Sequence, residues 1–322
     1  MKSNVLRWLG GLLVLGGAGI GSGCASTRCG ELATAPSAST GAATQQHQAK
    51  DGVCLQGFRW QPAAEPKGVV VVVHGLRDHA ERYGELSGAL VAANFAVHAG
   101  DMRGHGVSGG ARQRFDSIDQ LVQDVDQVVQ GARVAHPGKP LFLYGHSLGG
   151  LVVSHYTLRH QGDLAGVVLS GAALRLQPDV TGGKIAAVRF FGVVFPWWKL
   201  QELDDSKFVS TDGARELFRS DPRITHENLP VRSARAAINA IQELEPRFEE
   251  FSTPLLILHG GEDKTTSIDG SRELARRARS ADKTLRIWEG QAHDLLHEPA
   301  APQIIAEVVS WLEKRSAPAA AP

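Results

Sequence analysis

The sequence predicts an α/β fold, with a mostly parallel sheet and helices on both of its faces. Short, strongly apolar runs recur along the chain with the length and composition of buried strands. Segments with helical spacing of apolar residues lie between these runs. Such alternation is typical of parallel strands, because each parallel pair needs a long crossover connection.

Six apolar runs predict strands of this sheet. The run over 69–73 contains only valine, as expected for a strand that is buried on both faces. The other predicted strands are 95–98, 141–144, 166–169, 255–258 and 285–288.

Two apolar stripes predict long helices. The first runs from Ile118 to Ala132, and Ser117 with Gln120 three residues later is typical of a helix start. The second stripe covers 304–312.

The interval 174–240 interrupts the alternation and predicts a mostly helical cap inserted between two strands. Its bulky apolar cluster covers 190–198. We expect most of these aromatic side chains to form the core of the cap. A few are expected to face a pocket above the strand ends.

The first 24 residues have the three parts of an export signal. Lys2 and Arg7 precede an apolar stretch over 8–20, which small residues follow. This stretch is shorter than the roughly 20 residues of a spanning helix. Cys24 stands where a lipoprotein carries its lipidated cysteine. Lipidation, ordinary signal cleavage and an uncleaved anchor remain alternatives, and the expected location is the cell envelope or, without lipidation, the periplasm or the medium.

The amino-acid composition predicts where the tether, the catalytic domain and the C-terminal tail begin and end. Residues 25–50 are rich in small and polar residues, which predicts a flexible tether. The catalytic domain is expected over 51–315, followed by an Ala/Pro-rich, disordered tail over 316–322. An oxidising compartment would permit Cys29 and Cys54 to pair, and the sequence leaves this pairing open.

The charge and cysteine content exclude several classes of function. Lys and Arg number 34 and Asp and Glu number 34, so the formal net charge of zero gives no electrostatic reason to expect a nucleic-acid partner. The 3 cysteines lack the spacing of a metal site. The sequence predicts neither a metal nor a cofactor.

The strongest chemical signal is the segment Gly145-His146-Ser147-Leu148-Gly149. It follows the predicted strand 141–144 and precedes an apolar stretch, which is the strand-turn-helix context of a nucleophilic serine. A helix N-terminus favours developing negative charge. Ser147 is therefore the predicted nucleophile.

A serine nucleophile needs a histidine base that a carboxylate holds, and in this kind of fold the chain order is serine, acid, histidine. Asp263 follows the predicted strand 255–258 and is the expected acid, with Glu262 and Asp269 as rivals. His293 follows the predicted strand 285–288 and is the expected base. Its rival His297 is expected to lie at the surface.

Two backbone N–H groups are expected to bind the oxyanion, those of Leu148 and Leu76. Leu76 follows Gly75, which lets the backbone turn inward. His74 is expected to support this loop. Asp101 and Arg103, in a glycine-rich stretch over 101–108, are expected to form contacts within their own loop.

Together these motifs resemble the monoacylglycerol lipase-like branch of the serine α/β-hydrolases, which includes lysophospholipases and serine aminopeptidase-type hydrolases. The matching segments lie in the family's order between residues 69 and 299: His74-Gly75, Asp78-His79, Arg82-Tyr83, 101–108, 145–150, 258–263 and 290–299. The resemblance implies an α/β-hydrolase fold, a triad of Ser147, Asp263 and His293, and oxyanion donors at Leu76 and Leu148. It also implies hydrolysis of monoacylglycerols or related single-chain esters without a cofactor. The export signal and tether depart from the many cytosolic members.

Three functions follow as hypotheses. The leading one is ester hydrolysis through an acyl-enzyme, with a small acyl ester as partner and a lipid anchor for membrane association. The second is action on lysophospholipids or peptides with the same triad; peptides would require an amine-binding carboxylate such as Glu202, Asp204 or Asp205. The third is a non-catalytic ligand-binding protein, which the presence of all three triad candidates disfavours.

Overall fold

The structure is a computed structural model that describes Cys29 and residues 41–200 and 207–316. The predicted export signal over 1–24, including the lipidation candidate Cys24, lies outside the described residues. So do most of the predicted tether before residue 41 and the tail from 317 onward.

Within the described residues, eight strands form one sheet. They are β1 (Ala43–Gln48), β2 (Cys54–Trp60), β3 (Gly68–Val73), β4 (Phe95–Gly100), β5 (Leu141–His146), β6 (Gly166–Ser170), β7 (Leu255–Gly260) and β8 (Lys283–Trp288). The order across the sheet is β1-β2-β4-β3-β5-β6-β7-β8. The pairs β1–β2 and β2–β4 are antiparallel, and all other pairs are parallel. The predicted fold class is confirmed.

The part of the chain that the structure describes also contains eight α-helices. They are α1 (Gly84–Ala92), α2 (Ile118–Ala135), α3 (Leu148–His160), α4 (Gly182–Val194), α5 (Asp212–Ser220), α6 (Val231–Leu244), α7 (Ile268–Arg277) and α8 (Ala301–Ser316). The core has two layers, one on each face of the sheet. Val69, Val71 and Val73 pack with α2, α3 and α7, whereas Val70 and Val72 pack with α1 and α8. The valine run therefore serves both layers, as a strand buried on both faces must.

The expected tether is wrong at its C-terminal end. Ala43–Gln48 forms the edge strand β1, which pairs with β2 from Gln48 opposite Cys54 to Ala43 opposite Arg59. This polar segment has no alternation of apolar residues, so its conformation comes from pairing with β2, which was also not predicted. The structure resolves the open pairing as well, because Cys29 and Cys54 form a disulfide. At the other terminus, Ser316 is the last residue of α8 instead of the first of the tail.

Helices α4, α5 and α6 lie between β6 and β7, in the interval predicted to be a cap. The expectation that the side chains of its apolar cluster mostly form the core of the cap is wrong for several of them. Phe190, Val193 and Trp197 are 60%, 64% and 69% exposed, whereas Phe195 stacks on Trp198 with ring centroids 4.3 Å apart. Helix α4 packs mainly against α6, and the side chains of Phe190 and Val193 on its other side remain exposed. Within the described ranges, no helix is long and apolar enough to cross a membrane.

Candidate active site

The turn between β5 and α3 presents Ser147. Its backbone has φ 52° and ψ −117°, a conformation that non-glycine residues adopt only where the surroundings hold it. Small neighbours make this turn possible. A Cβ atom at Gly145 would lie 2.7 Å from the Gly149 carbonyl oxygen, and one at Gly149 would lie 2.3 Å from the Val73 carbonyl oxygen. The two glycines therefore let strand and helix approach closely enough to place the serine at the sheet edge.

The structure brings together the three predicted triad residues. The Nε2 atom of His293 lies 2.9 Å from Ser147 Oγ. On the other side of the ring, Nδ1 lies 2.7 Å from Asp263 Oδ2. All three side chains are buried. The geometry is that of a hydroxyl hydrogen-bonded to an imidazole whose tautomer a carboxylate fixes.

The loop after β7 holds the Asp263 carboxylate. Oδ1 accepts the backbone N–H groups of Thr265 and Thr266, at 2.7 and 2.9 Å. Oδ2 lies 2.9 Å from Thr266 Oγ1 and 3.1 Å from Nε2 of the buried His259. No well-aligned hydrogen bond reaches that His259 nitrogen, whose ring is held on its other side by Ser271 at 2.8 Å. Both oxygens of the carboxylate are thus fixed in orientation.

The pKa values of Asp263 and His293 are shifted in opposite directions, and each shift favours the charged form of its group. Burial alone would raise the pKa of Asp263, but the charge and hydrogen bond of His293, with His259 nearby, hold it well below its usual range. Burial alone would lower the pKa of His293, but the charge and hydrogen bond of Asp263 outweigh burial and raise it. The neighbouring ring of His146 lies 4.7 Å from that of His293, and burial lowers the pKa of His146 to about 4.

The predicted oxyanion donors lie on both sides of the nucleophile. Leu148 is the first residue of α3, and the first N–H groups of a helix have no partner within it. A Cβ atom at Gly75 would lie 3.1 Å from Ser147 Cβ, so only glycine lets the Gly75–Leu76 peptide approach this closely.

His74 orients that peptide. Its Nε2 accepts the Met102 N–H at 2.8 Å, so Nδ1 carries the proton and donates to the Gly75 carbonyl, at 2.7 Å. Because a trans peptide is planar, fixing this carbonyl turns the Leu76 N–H to the opposite side.

The rival residues occupy other positions. Glu262 is exposed, and Asp269 is exposed and paired with Arg272 at 3.1 Å. His297 is 26% exposed, and its Nδ1 lies 2.9 Å from Asp294 Oδ1. Asp101 accepts the backbone N–H groups of Ala80 and Val107, and Arg103 pairs with Asp124 and Asp51. These contacts hold the loops that surround the site.

Sequence reasoning missed the buried charges that hold the histidine loop. Arg82 donates to Asp78 at 2.9 Å and to Asp294 at 2.7 Å, which directly follows His293. Glu298 accepts the Ala292 N–H at 3.0 Å and the Ser210 N–H of the cap at 2.6 Å. No sequence pattern indicates the pairs Arg82–Asp294 and Ser210–Glu298, which lie 212 and 88 residues apart. By contrast, the two threonines after Asp263 offered a local signal, since an aspartate often caps the backbone two residues on.

A cavity of about 630 Å³ lies between the cap and the triad loops. This volume falls within the range of small-molecule sites. Its wall is mainly apolar, with Asp263, Thr265 and Thr266 on the triad side and Leu76 from the oxyanion loop. The main apolar lining residues from the cap are Val188, Leu200, Leu229, Ala237, Ile238 and Ile241. In the part of the chain that the structure describes, no group of three or more His, Cys, Asp or Glu side chains is arranged to hold a metal.

Comparison with known proteins places this site in context. The pattern of the family described as "Serine aminopeptidase, S33" matches residues 64–300. A monoacylglycerol lipase of Mycolicibacterium smegmatis is 34% identical over 253 residues, which cover 79% of this chain and 90% of that protein. The monoglyceride lipase of Homo sapiens is 32% identical over 272 residues, covering 84% and 90%. The crystal structure of Paleococcus ferrophilus monoacylglycerol lipase superposes with a TM-score of 0.74 at 29% identity, covering 81% of this chain and 99% of that one.

Proposed function

The chain belongs to the serine aminopeptidase family of α/β-hydrolases, and from that premise we propose that it hydrolyses the carboxylic ester of monoacylglycerol-type lipids. The similar proteins named monoacylglycerol or monoglyceride lipase support this substrate class. The observation that carries the proposal is the hydrogen-bonded series from Ser147 through His293 to Asp263, together with a largely apolar cavity that Asp263 and Leu76 help to line.

The proposed reaction begins with attack of Ser147 Oγ on the ester carbonyl carbon. His293 Nε2 takes the hydroxyl proton as the C–O bond forms, and Asp263 stabilises the resulting imidazolium. The carbonyl oxygen becomes an oxyanion, which accepts hydrogen bonds from the N–H groups of Leu76 and Leu148. Collapse breaks the ester C–O bond, and the imidazolium protonates the departing glycerol oxygen.

Water completes the cycle. His293 removes a proton from a water molecule, the hydroxide attacks the acyl-enzyme carbonyl, and the proton returns to Ser147 Oγ as the fatty acid departs. The proton transfers use the side chains of Ser147, His293 and Asp263, which lie within hydrogen-bonding distance of one another.

The test is Ser147→Ala measured on monoacylglycerol and on a soluble p-nitrophenyl ester. We expect turnover of both to fall by several orders of magnitude, to the roughly 10³–10⁴-fold acceleration over water that remains without a triad member. The circular dichroism spectrum and melting temperature should stay those of the parent. Unchanged turnover of both esters would overturn the proposal.

A parallel assay distinguishes the substrate classes. Monoacylglycerol, a lysophospholipid and an aminoacyl anilide are offered to the same enzyme preparation. The cavity lining that the structure describes is mainly apolar and includes the cationic side chains of Arg175, Lys184, Lys207 and Lys264, so it favours an acyl chain over a charged amine. The candidate amine-binding carboxylates Glu202, Asp204 and Asp205 lie outside the described residues. We expect the highest kcat/KM for monoacylglycerol, and a preference for the anilide would identify a peptidase instead.

We also propose that the protein is exported and anchored through a lipid on Cys24. The basic, apolar and small-residue parts of the first 24 residues support export. The Cys29–Cys54 disulfide supports an oxidising compartment. Mass spectrometry of the mature protein from the membrane fraction tests this, since lipidation would leave Cys24 as a modified N-terminal residue.

A further inference from the structure

The Cys29–Cys54 disulfide determines at which end of the sheet the N-terminal segment leaves the domain. Strand β4 runs parallel to β3 and β5, so Gly100 lies at the carboxyl edge of the sheet, where Ser147 follows β5. Strand β2 runs the other way and places Gly57 opposite Gly100. Cys54, three residues before Gly57, therefore lies at this same carboxyl edge, and the disulfide fixes Cys29 there.

Without the disulfide, the chain would leave from a different place. Strand β1 pairs Gln48 with Cys54 and Ala43 with Arg59, and Arg59 in turn lies opposite His98 in the middle of β4. The chain thus enters β1 from the direction of the amino edge, away from the active site. The five residues from Cys54 to Arg59 span about 17 Å along the strand.

The disulfide also shortens the connection to the proposed anchor. Only residues 25–28 separate Cys24 from Cys29, and this stretch spans at most about 17 Å when extended. From Cys24 to Ala43, the chain could reach about 65 Å. The expected long tether is therefore bypassed, because residues 30–53 form a covalent loop.

The same end of the domain carries an exposed apolar surface, which we call the outer cap face: Phe190, Phe191, Val193, Val194 and Trp197. Each of these side chains is at least 36% exposed. Lys184 and Val188 of the same helix line the cavity. Exposed aromatic residues of this kind mark surfaces that contact lipid or protein.

We propose that the disulfide, together with a lipid on Cys24, holds the enzyme with its outer cap face on the bilayer that carries the anchor. The short connection between Cys24 and Cys29 keeps the active-site edge close to the membrane surface, where its lipid substrate resides. The inference rests on the proposed ester hydrolysis and on the proposed anchoring. The disulfide thereby orients the enzyme in addition to stabilising the fold.

The decisive experiment places one insertion at two sites of the full-length protein. A 15-residue Gly/Ser-rich segment is inserted either between Thr27 and Arg28, before the disulfide, or between Glu31 and Leu32, inside its loop. The variants, reconstituted in vesicles, are assayed on vesicle-embedded monoacylglycerol and on a soluble p-nitrophenyl butyrate. Only the first insertion lengthens the connection between Cys24 and Cys29. Only this insertion should therefore lower the turnover of vesicle-embedded monoacylglycerol, by roughly tenfold. Neither should change the soluble rate.

The controls separate orientation from stability and chemistry. The double variant Cys29→Ser with Cys54→Ser should lose vesicle turnover and keep the soluble rate. Brominated lipid should quench the tryptophan fluorescence of the parent, and the variant Trp197→Phe should show less of this quenching. Equal vesicle rates for both insertions, equal losses on both substrates, or a mature protein without lipid on Cys24 would overturn the proposal. Ser147→Ala abolishes both rates in any of these cases and so reports on the proposed chemistry alone.

Discussion

The guanidinium of Arg82 donates to the carboxylate of Asp294 at 2.7 Å, across 212 residues of sequence. Arg82 belongs to the loop after β3, and Asp294 directly follows His293. Both groups are nearly buried, and the second branch of the guanidinium holds Asp78. The contact joins the oxyanion side of the site to the histidine loop, so the imidazole position depends on a buried ion pair.

The first prediction concerns stability. Arg82→Met retains the stem of the side chain but leaves Asp78 and Asp294 buried without their cation. We expect the free energy of unfolding to fall by about 3–5 kcal/mol, measured by urea denaturation at neutral pH. Arg272→Met, which removes an exposed pair with Asp269, is the control and should change it by less than about 1 kcal/mol. Equal losses in the free energy of unfolding for the two variants would show that the buried pair contributes no more stability than the exposed pair.

The same pair predicts how stability depends on pH. Burial alone would raise the pKa values of Asp78 and Asp294, but nearby charges, among them Arg82, hold both below the usual range. A carboxylate with a depressed folded-state pKa contributes stability above its unfolded pKa, about 3.9, and loses it as pH falls below that. The stability difference between parent and Arg82→Met should therefore shrink between about pH 5 and pH 2. A difference that is constant over this range would contradict the assignment.

The triad predicts a shift in the pH profile of activity. The base acts as neutral imidazole, so kcat/KM rises as pH climbs through the pKa of His293. Burial would lower that pKa, and Asp263 raises it above the ordinary value. In Asp263→Asn the acid limb should move to lower pH, while kcat falls by about 10⁴-fold. Asp269→Asn alters only an exposed carboxylate and should leave the profile of the parent; an upward shift in Asp263→Asn would contradict the assignment.

His74 is expected to act through the oxyanion loop. In His74→Leu the Gly75 carbonyl loses its donor, and the Leu76 N–H is no longer held toward the reacting oxygen. Loss of one oxyanion donor typically lowers kcat by about 10²–10³-fold, and we expect a loss of that order with little change in KM. His155→Leu, a buried histidine bonded to the Ala240 carbonyl, is the matched control. If both variants lose the same activity, general destabilisation is the cause.

The cavity predicts acyl-chain selectivity. Ala237 of α6 lines it, and Ala237→Phe would fill part of the space available to a long chain. We expect kcat/KM for long-chain monoacylglycerols to fall at least about tenfold, whereas p-nitrophenyl acetate should be affected little. Val134→Phe, at a position on α2 that is 83% exposed, controls for added bulk. Parallel losses on long and short esters would place the acyl chain elsewhere.

Local sequence patterns determined the framework of this protein. Buried strands and the helices between them can be recognised by the spacing of their apolar residues, and this spacing predicted six strands of the sheet. The nucleophile turn is equally local, because strand, small residues and helix are adjacent in the chain around Ser147. Loops after successive parallel strands meet at one sheet edge, so the places of Asp263 and His293 followed from the strand order.

Tertiary contacts decided the rest. Ala43–Gln48 has no apolar pattern and becomes a strand only because β2 offers a backbone partner. The pairing of Arg82 with Asp294, and the exposure of Phe190 and Trp197, depend on which distant segments share the space around them. Sequence fixes each group's chemistry and local backbone preference, whereas burial and charge pairing arise from non-local packing, and only the folded chain specifies them.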